Sequence, residues 1–342
     1  MRRKRSKLIP DGGQGELALL ERIRQRASGS ASVGLRLGIG DDCAILRLKP
    51  NEELAVTTDF SIAGRHFRLD WHPPESVGHR TLARGLSDIA AMGARPLAAF
   101  LSLGLPKELA VAEGRRRAWV DGFLDGFLAL AAQYKTPLAG GDLAESPLAV
   151  ADIVLLGAVP RGKAILRSGA RPGDLVCVTG ALGGAAAGLD FIRKSSGGAV
   201  SPARHSKNAQ SLLMPQLWPQ PRIAQGLWLR RRQAASAAID LSDGLSTDLD
   251  HLCAESGVSA EIDAKAVPVY AGATLEQALH GGEDYELLFT SRPNTTIPRS
   301  IAGVSVSRIG KIVNRRTGQP RIILTDGSGR HSLRRGGWEH FS

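Results

Sequence analysis

Residues 74–93 read Pro74-Glu75-Ser76-Val77-Gly78-His79-Arg80-Thr81-Leu82-Ala83-Arg84-Gly85-Leu86-Ser87-Asp88-Ile89-Ala90-Ala91-Met92-Gly93. Proline is tolerated in a first helical turn because its missing N–H would be unpaired there, and glycine is a common stop. Between them Val77, Leu82, Leu86 and Ile89 supply an apolar side. The stretch predicts a helix over 74–92 with Asp88 in its last turns. On either side stand Leu54 to Thr58 and Leu97 to Leu103, which read as strands. A second helix is expected from Trp119, where Trp119, Val120, Phe123, Leu124, Phe127, Leu128 and Ala131 repeat at three and four and make one wide apolar face.

Further strands are predicted over Val150 to Leu156, Leu175 to Val178, Tyr285 to Thr290 and Arg321 to Leu324. Helices alternate with them, which implies an α/β or α+β fold. The chain has 342 residues, and at about 100–200 residues per domain two domains are expected. Gly157 to Lys163 separates the two series and is taken as the boundary. The expectation is therefore a basic, disordered tail at 1–13, an N-terminal metal- and ATP-binding α/β domain at 14–157, and a C-terminal α+β domain at 164–342. Ser195 to Asn208 reads as a surface loop of the second domain.

Aspartate recurs beside glycine, serine or threonine at the end of short apolar runs. The instances are Gly40-Asp41-Asp42, Thr57-Thr58-Asp59, Leu86-Ser87-Asp88, Gly140-Gly141-Asp142 and Asp240-Leu241-Ser242-Asp243-Gly244. Carboxylates gathered at one place repel by roughly 4 kcal/mol per close pair at an effective dielectric of ~20. Such a site needs a cation, and hard oxygen ligands suit magnesium shared with phosphate oxygens. A magnesium-nucleotide site is expected.

No run approaches the ~18 apolar residues of a membrane span, and the opening Met1-Arg2-Arg3-Lys4-Arg5-Ser6-Lys7-Leu8 lacks a signal peptide's apolar stretch. No membrane association and a cytoplasmic location are expected. Cys43, Cys177 and Cys253 are far apart and offer no Cys-x-x-Cys pair. The formal charge of +11 is spread over short clusters such as Arg115 to Arg117 and Arg230 to Arg232. No aromatic-interleaved basic stripe accompanies them, so a solvated surface is favoured over a nucleic-acid site. Gly157 to Lys163 imitates a phosphate-binding loop, but Ala164 stands where a Ser or Thr is needed. The glycines of Val178 to Gly184 lack dinucleotide-site spacing and read as tight strand-to-helix packing.

The ordered set of motifs carries a resemblance. It comprises Gly38-Ile39-Gly40-Asp41-Asp42-Cys43-Ala44, the Thr57-Thr58-Asp59 run with Gly64-Arg65-His66-Phe67 after it, Leu86 to Gly93, and Gly140-Gly141-Asp142. It continues through Arg167-Ser168-Gly169-Ala170-Arg171-Pro172-Gly173-Asp174, Asp240 to Asp248, Gly281-Gly282-Glu283-Asp284-Tyr285-Glu286-Leu287 and Gly337-Trp338-Glu339-His340-Phe341. Over nearly its whole length the chain resembles the thiamine-monophosphate kinase family. The resemblance implies transfer of the ATP γ-phosphoryl group to thiamine phosphate. It also implies a homodimer on the two-domain aminoimidazole-ribotide-synthetase-like fold, with an N-terminal α/β domain whose sheet forms the dimer and a C-terminal α+β domain.

Carried over by residue, it implies Asp42, Thr57, Thr58, Asp59, Asp88, Asp142, Asp240 and Asp243 as magnesium or magnesium-ATP ligands. Gly141, Asp142 and Ser242 would contact the nucleotide and Arg167 a phosphate. His66, Glu283 and Trp338 would contact thiamine phosphate. Asp42, Asp243 and Arg167 would carry the catalysis. For Asp41, turn formation is as good a reading as ligation. Leu143-Ala144-Glu145, Phe60 and Gly85 depart from the family pattern.

The implied chemistry suits an Asp-rich site without a Ser-His-Asp arrangement. A phosphate monoester already presents an anionic oxygen at neutral pH, so the reaction needs charge neutralisation and in-line alignment more than a base. The cationic thiazolium could also gain from the face of Trp338. The alternatives are another ATP-using enzyme of the same superfamily, or a catalytically silent basic protein that holds RNA. Against the sister enzymes, no cysteine precedes Cys43 and none stands at the C-terminus.

Overall fold

The computed structural model describes residues 16–27, 34–112, 117–195 and 206–337. The first half holds α1 (Glu16–Ala27), β1 (Leu35–Leu37), β2 (Ile45–Leu46), β3 (Glu52–Ile62), α2 (Pro74–Ala91), β4 (Arg95–Leu105), α3 (Lys107–Ala110), α4 (Trp119–Gln133), β5 (Leu138–Glu145) and β6 (Val150–Pro160). The second half holds β7 (Leu175–Thr179), α5 (Gly184–Lys194), α6 (Lys207–Leu217), α7 (Ile223–Arg231), β8 (Ala237–Asp240), α8 (Leu245–Ser256) and β9 (Ser259–Asp263). It ends with α9 (Leu275–His280), β10 (Leu287–Ser291), β11 (Ser300–Ile301), β12 (Val304–Val313), β13 (Ile322–Asp326) and β14 (Gly329–Ser332). No helix among the described residues is long and apolar enough to cross a membrane.

The first half forms a four-stranded sheet in the order β3-β6-β4-β5, with β4 and β5 parallel and the other pairs antiparallel. Helix α2 forms where its pattern predicts, from Pro74 to a Met92 cap followed by Gly93 at φ 63°. Val77, Leu82, Leu86 and Ile89 are buried, as are Val120, Phe123, Leu124 and Phe127 of α4. The two helices meet backbone to backbone. A Cβ on Gly78 would lie 1.8 Å from the Phe123 carbonyl oxygen, and one on Gly126 would lie 1.7 Å from that of Glu75. Gly85, which departs from the family pattern, has a packing reason of its own: a Cβ there would meet Ile153 Cδ1 at 2.7 Å, so its absence seats α2 close on β6.

Side chains alternate across a strand, so this sheet has two unlike faces. On β3, Thr57 and Asp59 turn toward α2, where they meet Asp88 and Arg84. Leu54, Val56, Thr58 and Phe60 are exposed on the other face. Register puts Phe60, Asp152, Ser102 and Asp142 in one row across that open face.

The second half forms a sheet in the order β14-β13-β9-β12-β7-β10-β8, with β11 beside β12. Val176, Val178, Ile239, Leu288, Ile309 and Ile312 pack against Leu249 and Leu252 of α8. The glycine-rich turn after β7 is tight packing, as expected: Gly183 begins α5 at φ 85°, and a Cβ there would lie 2.7 Å from the Ala278 amide nitrogen.

Several boundaries differ from the sequence reading. Strand β3 runs to Ile62, so Thr57 to Asp59 lie inside it and not at its end. Gly140-Gly141-Asp142 belongs to β5, where Gly141 at φ 147° lets the Leu101 carbonyl approach to 1.8 Å from the place of a Cβ. Strand β6 continues to Pro160, so Gly157 to Pro160 of the expected linker are paired with β3. Strands β1, β2, β5, β8, β9, β11, β12 and β14 have no counterpart among the strands expected from the sequence. The basic tail, most of the expected 195–208 loop and Trp338 lie outside the described residues.

Candidate functional site

A cavity of about 750 Å³ opens between α2, the end of β3 and two loops of the second half. Asp59, Asp88, Asp240 and Asp243 line it together with Ser242. Its acidic end is built by short side chains holding carboxylates: Thr57 Oγ1 donates to Asp88, and Ser87 Oγ donates to Asp240 Oδ2 at 2.8 Å. Burial pushes Asp59 up to about 6, with Asp88 adding to the rise and Arg84 opposing it. Burial and the neighbouring Asp88 and Asp248 raise Asp240 well above the usual carboxylate range. Asp88 is raised as well, by burial, against the pull of Thr57 and Arg167. These are the energetics of negative charge collected without enough positive charge.

The loop that carries Ser242 and Asp243 is shaped by a residue from the next helix. Asp248 Oδ2 accepts from the backbone amides of Ser242, Asp243 and Gly244 at 3.1, 3.1 and 3.0 Å. Gly244 at φ 110° completes the turn into α8.

A second cavity of about 570 Å³ shares Asp88 and Asp240 and adds Thr57 and Arg167. Arg167 therefore faces the acidic cluster from a cavity that Ser242 does not line. A third cavity, about 440 Å³, holds Asp42, Gly141 and Asp142 at the β5 edge. Asp42 is exposed, and its amide donates to Asp41 Oδ1 at 3.0 Å, so Asp41 forms the turn. Thr58 lies on the open face, away from Asp88. One chain thus brings together Asp59, Asp88, Asp240, Asp243, Thr57 and Arg167, but not Asp42, Thr58, Gly141 or Asp142.

His66 and Glu283 line the other end of the large cavity. His66 Nδ1 accepts from the Ile62 amide at 3.1 Å, which fixes the turn after β3. Glu283 has φ 65° and Tyr285 φ 50°, conformations that L-residues adopt at a cost. The carboxylates around them hold the loop in place. Asp284 accepts from the Gly183 and Ala185 amides at 2.7 and 3.2 Å, and Glu286 accepts from Thr179 Oγ1 and Arg222 Nε, each at 2.6 Å. Burial would raise Glu283, but Arg80, Arg84 and Gln216 outweigh it and hold it below the ordinary value. Arg80 Nη2 donates to both Glu283 oxygens at 2.7 and 2.8 Å. Gly336 and Gly337 line the same cavity and lead directly into Trp338.

Sequence reasoning missed Arg80, Arg84 and Asp248. The first two precede Asp88 by eight and four residues, a spacing that puts all three on one helix face. Asp248 follows Ser242 by six residues, inside a motif already singled out.

Residues 40–159 match the N-terminal domain of AIR synthase related proteins, and residues 171–323 match the C-terminal domain. Thiamine-monophosphate kinase of Salmonella typhimurium is 39% identical, with 86% of this chain and 87% of that protein covered. The crystal structure of thiamine-monophosphate kinase from Stenotrophomonas maltophilia superimposes with a TM-score of 0.75 at 35% identity, covering 90% of this chain and 95% of that one. A structure of AaThiL complexed with AMPPCP and TMP gives a TM-score of 0.73 at 28% identity, covering 98% of this chain and all of that one. Similarity at this level, over both halves of the fold, makes this chain a member of the thiamine-monophosphate kinase family.

Proposed function

We infer that this protein transfers the γ-phosphoryl group of ATP to thiamine phosphate, giving thiamine diphosphate and ADP. The observation that carries the reading is the gathering of Asp59, Asp88, Asp240 and Asp243 along one cavity of about 750 Å³, where burial raises the carboxyls of Asp59, Asp88 and Asp240. The AMPPCP and TMP held by AaThiL agree with an ATP analogue and the acceptor.

The donor set fits magnesium: hard carboxylate oxygens, with the hydroxyls of Thr57 and Ser242 close by. Asp59, Asp88, Asp240 and Asp243 would hold it. Bound there, magnesium would neutralise phosphate charge. The chain's own part is positioning. Asp248 fixes the Ser242–Asp243 loop, Arg167 faces the acidic cluster from the second cavity, and His66 and Glu283 bound the acceptor end. No general base is called for, because the acceptor phosphate is already anionic.

The open face of the first sheet supports a homodimer. Leu54, Val56 and Phe60 are 46, 55 and 57% exposed on one edge strand, an apolar stripe that a second copy would cover. Asp42, Gly141 and Asp142 are assigned to the nucleotide end of the site that such a dimer completes. ATP consumption is consistent with the cytoplasm, and the two halves, divided near 161–164, act as the two walls of the cleft.

The test is to incubate purified protein with ATP, magnesium and thiamine phosphate and to separate the products by chromatography. Equal amounts of thiamine diphosphate and ADP are expected, with Asp243→Asn nearly inactive yet folded. ADP without thiamine diphosphate would reject the acceptor.

A further inference from the structure

Helix α2 carries two arginines into the cleft, and they are used differently. Arg80 is fully engaged, with both Glu283 oxygens, the His66 carbonyl at 3.2 Å and the Gln216 carbonyl as partners. Arg84, one turn on, lines the large cavity with a side chain only 18% exposed. Its one recorded ion pair among the described residues is Nε to Asp59 Oδ1 at 3.6 Å, longer than a hydrogen bond. A guanidinium has five N–H donors in a planar fork. Leaving them unmatched in a mostly desolvated position is costly unless a ligand takes them.

Position narrows the ligand. Arg84 lines the same cavity as Asp59 and Asp88 of the acidic end and as Glu283 and Tyr285 of the other, and it pairs with Asp59. Glu283 is already bound to Arg80 and to Gln216 Nε2 at 3.3 Å, Asp88 to Thr57, and Asp240 to Ser87. Of these acidic neighbours only Asp59 is left to the fork, and it stands 3.6 Å from Nε. Planar bidentate recognition is what guanidinium groups provide for phosphate. We propose that Arg84 binds the phosphate group of thiamine phosphate, holding it between the ring end of the cavity and the acidic end where the phosphoryl group arrives. This rests on the reading that thiamine phosphate is the acceptor. It adds a phosphate-binding residue that the family resemblance did not supply.

The test is calorimetric titration without ATP or magnesium, using thiamine phosphate and, separately, thiamine. Arg84→Met keeps the stem and removes the charge; Arg84→Lys keeps the charge and removes the fork. Loss of a charged hydrogen-bonding partner predicts that Arg84→Met weakens thiamine phosphate by about 10- to 100-fold while thiamine changes by less than about threefold. Arg84→Lys should fall between. Unchanged thiamine phosphate affinity in Arg84→Met would overturn the proposal and leave the kinase reading intact, as would an equal loss for thiamine. Should Arg84→Met fail to fold, Arg84→Lys decides: weakened thiamine phosphate with normal thiamine supports the assignment, and wild-type affinity for both overturns it. A wild-type protein that binds neither ligand, with magnesium added as well as without it, would sink the acceptor reading and this assignment together.

Discussion

Replacing Arg80 with methionine should separate a structural ion pair from a substrate contact. Arg80 is 5% exposed and ties helix α2 to the Glu283 loop and to α6 through Gln216. Methionine fills much the same stem volume but leaves the Glu283 carboxylate without its main partner. Breaking a buried pair from one side costs about 3–5 kcal/mol. Gln216 and the field of Arg84 remain, so the lower end, about 3 kcal/mol, is expected. Urea unfolding near neutral pH reads this directly. The double variant Arg80→Met/Glu283→Gln should recover more than half of the loss, since it removes the stranded charge as well. The pH dependence has a definite sign. In the wild type Glu283 is held below its ordinary value of 4.5, so its stabilisation is present above that pH and is lost as pH falls through the lower folded value. In Arg80→Met, burial dominates and the carboxyl rises, so protonation relieves the variant and its deficit should shrink on going from neutral pH toward 4.5. A loss under about 1 kcal/mol, or a deficit that does not change with pH, would refute the reasoning.

Three other variants probe separate parts of the molecule. Gly126→Ala forces a Cβ to within 1.7 Å of the Glu75 carbonyl, and a loss of about 3 kcal/mol is expected in thermal melts despite alanine's better helix propensity; a neutral result would mean that α2 and α4 are further apart. Asp248→Ala removes the acceptor shared by three loop amides, so turnover should fall at least ~100-fold with a modest change in the Michaelis constant for thiamine phosphate, and wild-type turnover would show that the loop holds itself. His72 is 2% exposed and its Nε2 has no partner among the described residues; burial, then Arg80, pushes it down to about 4. Because the unfolded imidazole takes a proton near 6.5, stability should be intact above that pH and decline by up to about 3 kcal/mol as pH falls toward 4, a slope that His72→Phe should flatten in denaturant titrations.

The parts of this fold that were legible in the sequence are those set by local pattern. Helices α2 and α4 follow from apolar spacing plus Pro74 and Gly93, because such a face has one way to bury itself. Strand β5 is hidden in the sequence because Gly140-Gly141-Asp142 reads as the end of a short apolar run and not as the middle of a strand. What makes it a strand is the approach of the Leu101 carbonyl, a tertiary contact that leaves no room for a side chain. The end of β6 was mistaken for a linker for a similar reason, since Gly157 is there to clear Ile89. Arg80, Arg84 and Asp248 were passed over because a basic residue on a helix, or an acid after a turn, has no local mark of function; their partners, Glu283, Asp59 and the 242–244 amides, lie on other elements or depend on a turn's exact path.

The acidic residues teach the sharper lesson. Five aspartate motifs suggested one converging set of ligands, yet strand alternation divides them. Thr57 and Asp59 project toward α2, whereas Thr58 between them faces the open side with Phe60. Asp142 is in the same open-face row as Phe60, across the full width of the sheet. A side-chain period of two residues makes this separation unavoidable within a single sheet. The two sets therefore serve one reaction only if something outside the sheet joins them, and the features on the open face suited to that are the exposed Leu54, Val56 and Phe60. In the proposed homodimer the same strand would supply ligands on one side and the apolar surface for a second copy on the other, which would tie assembly of the site to assembly of the dimer.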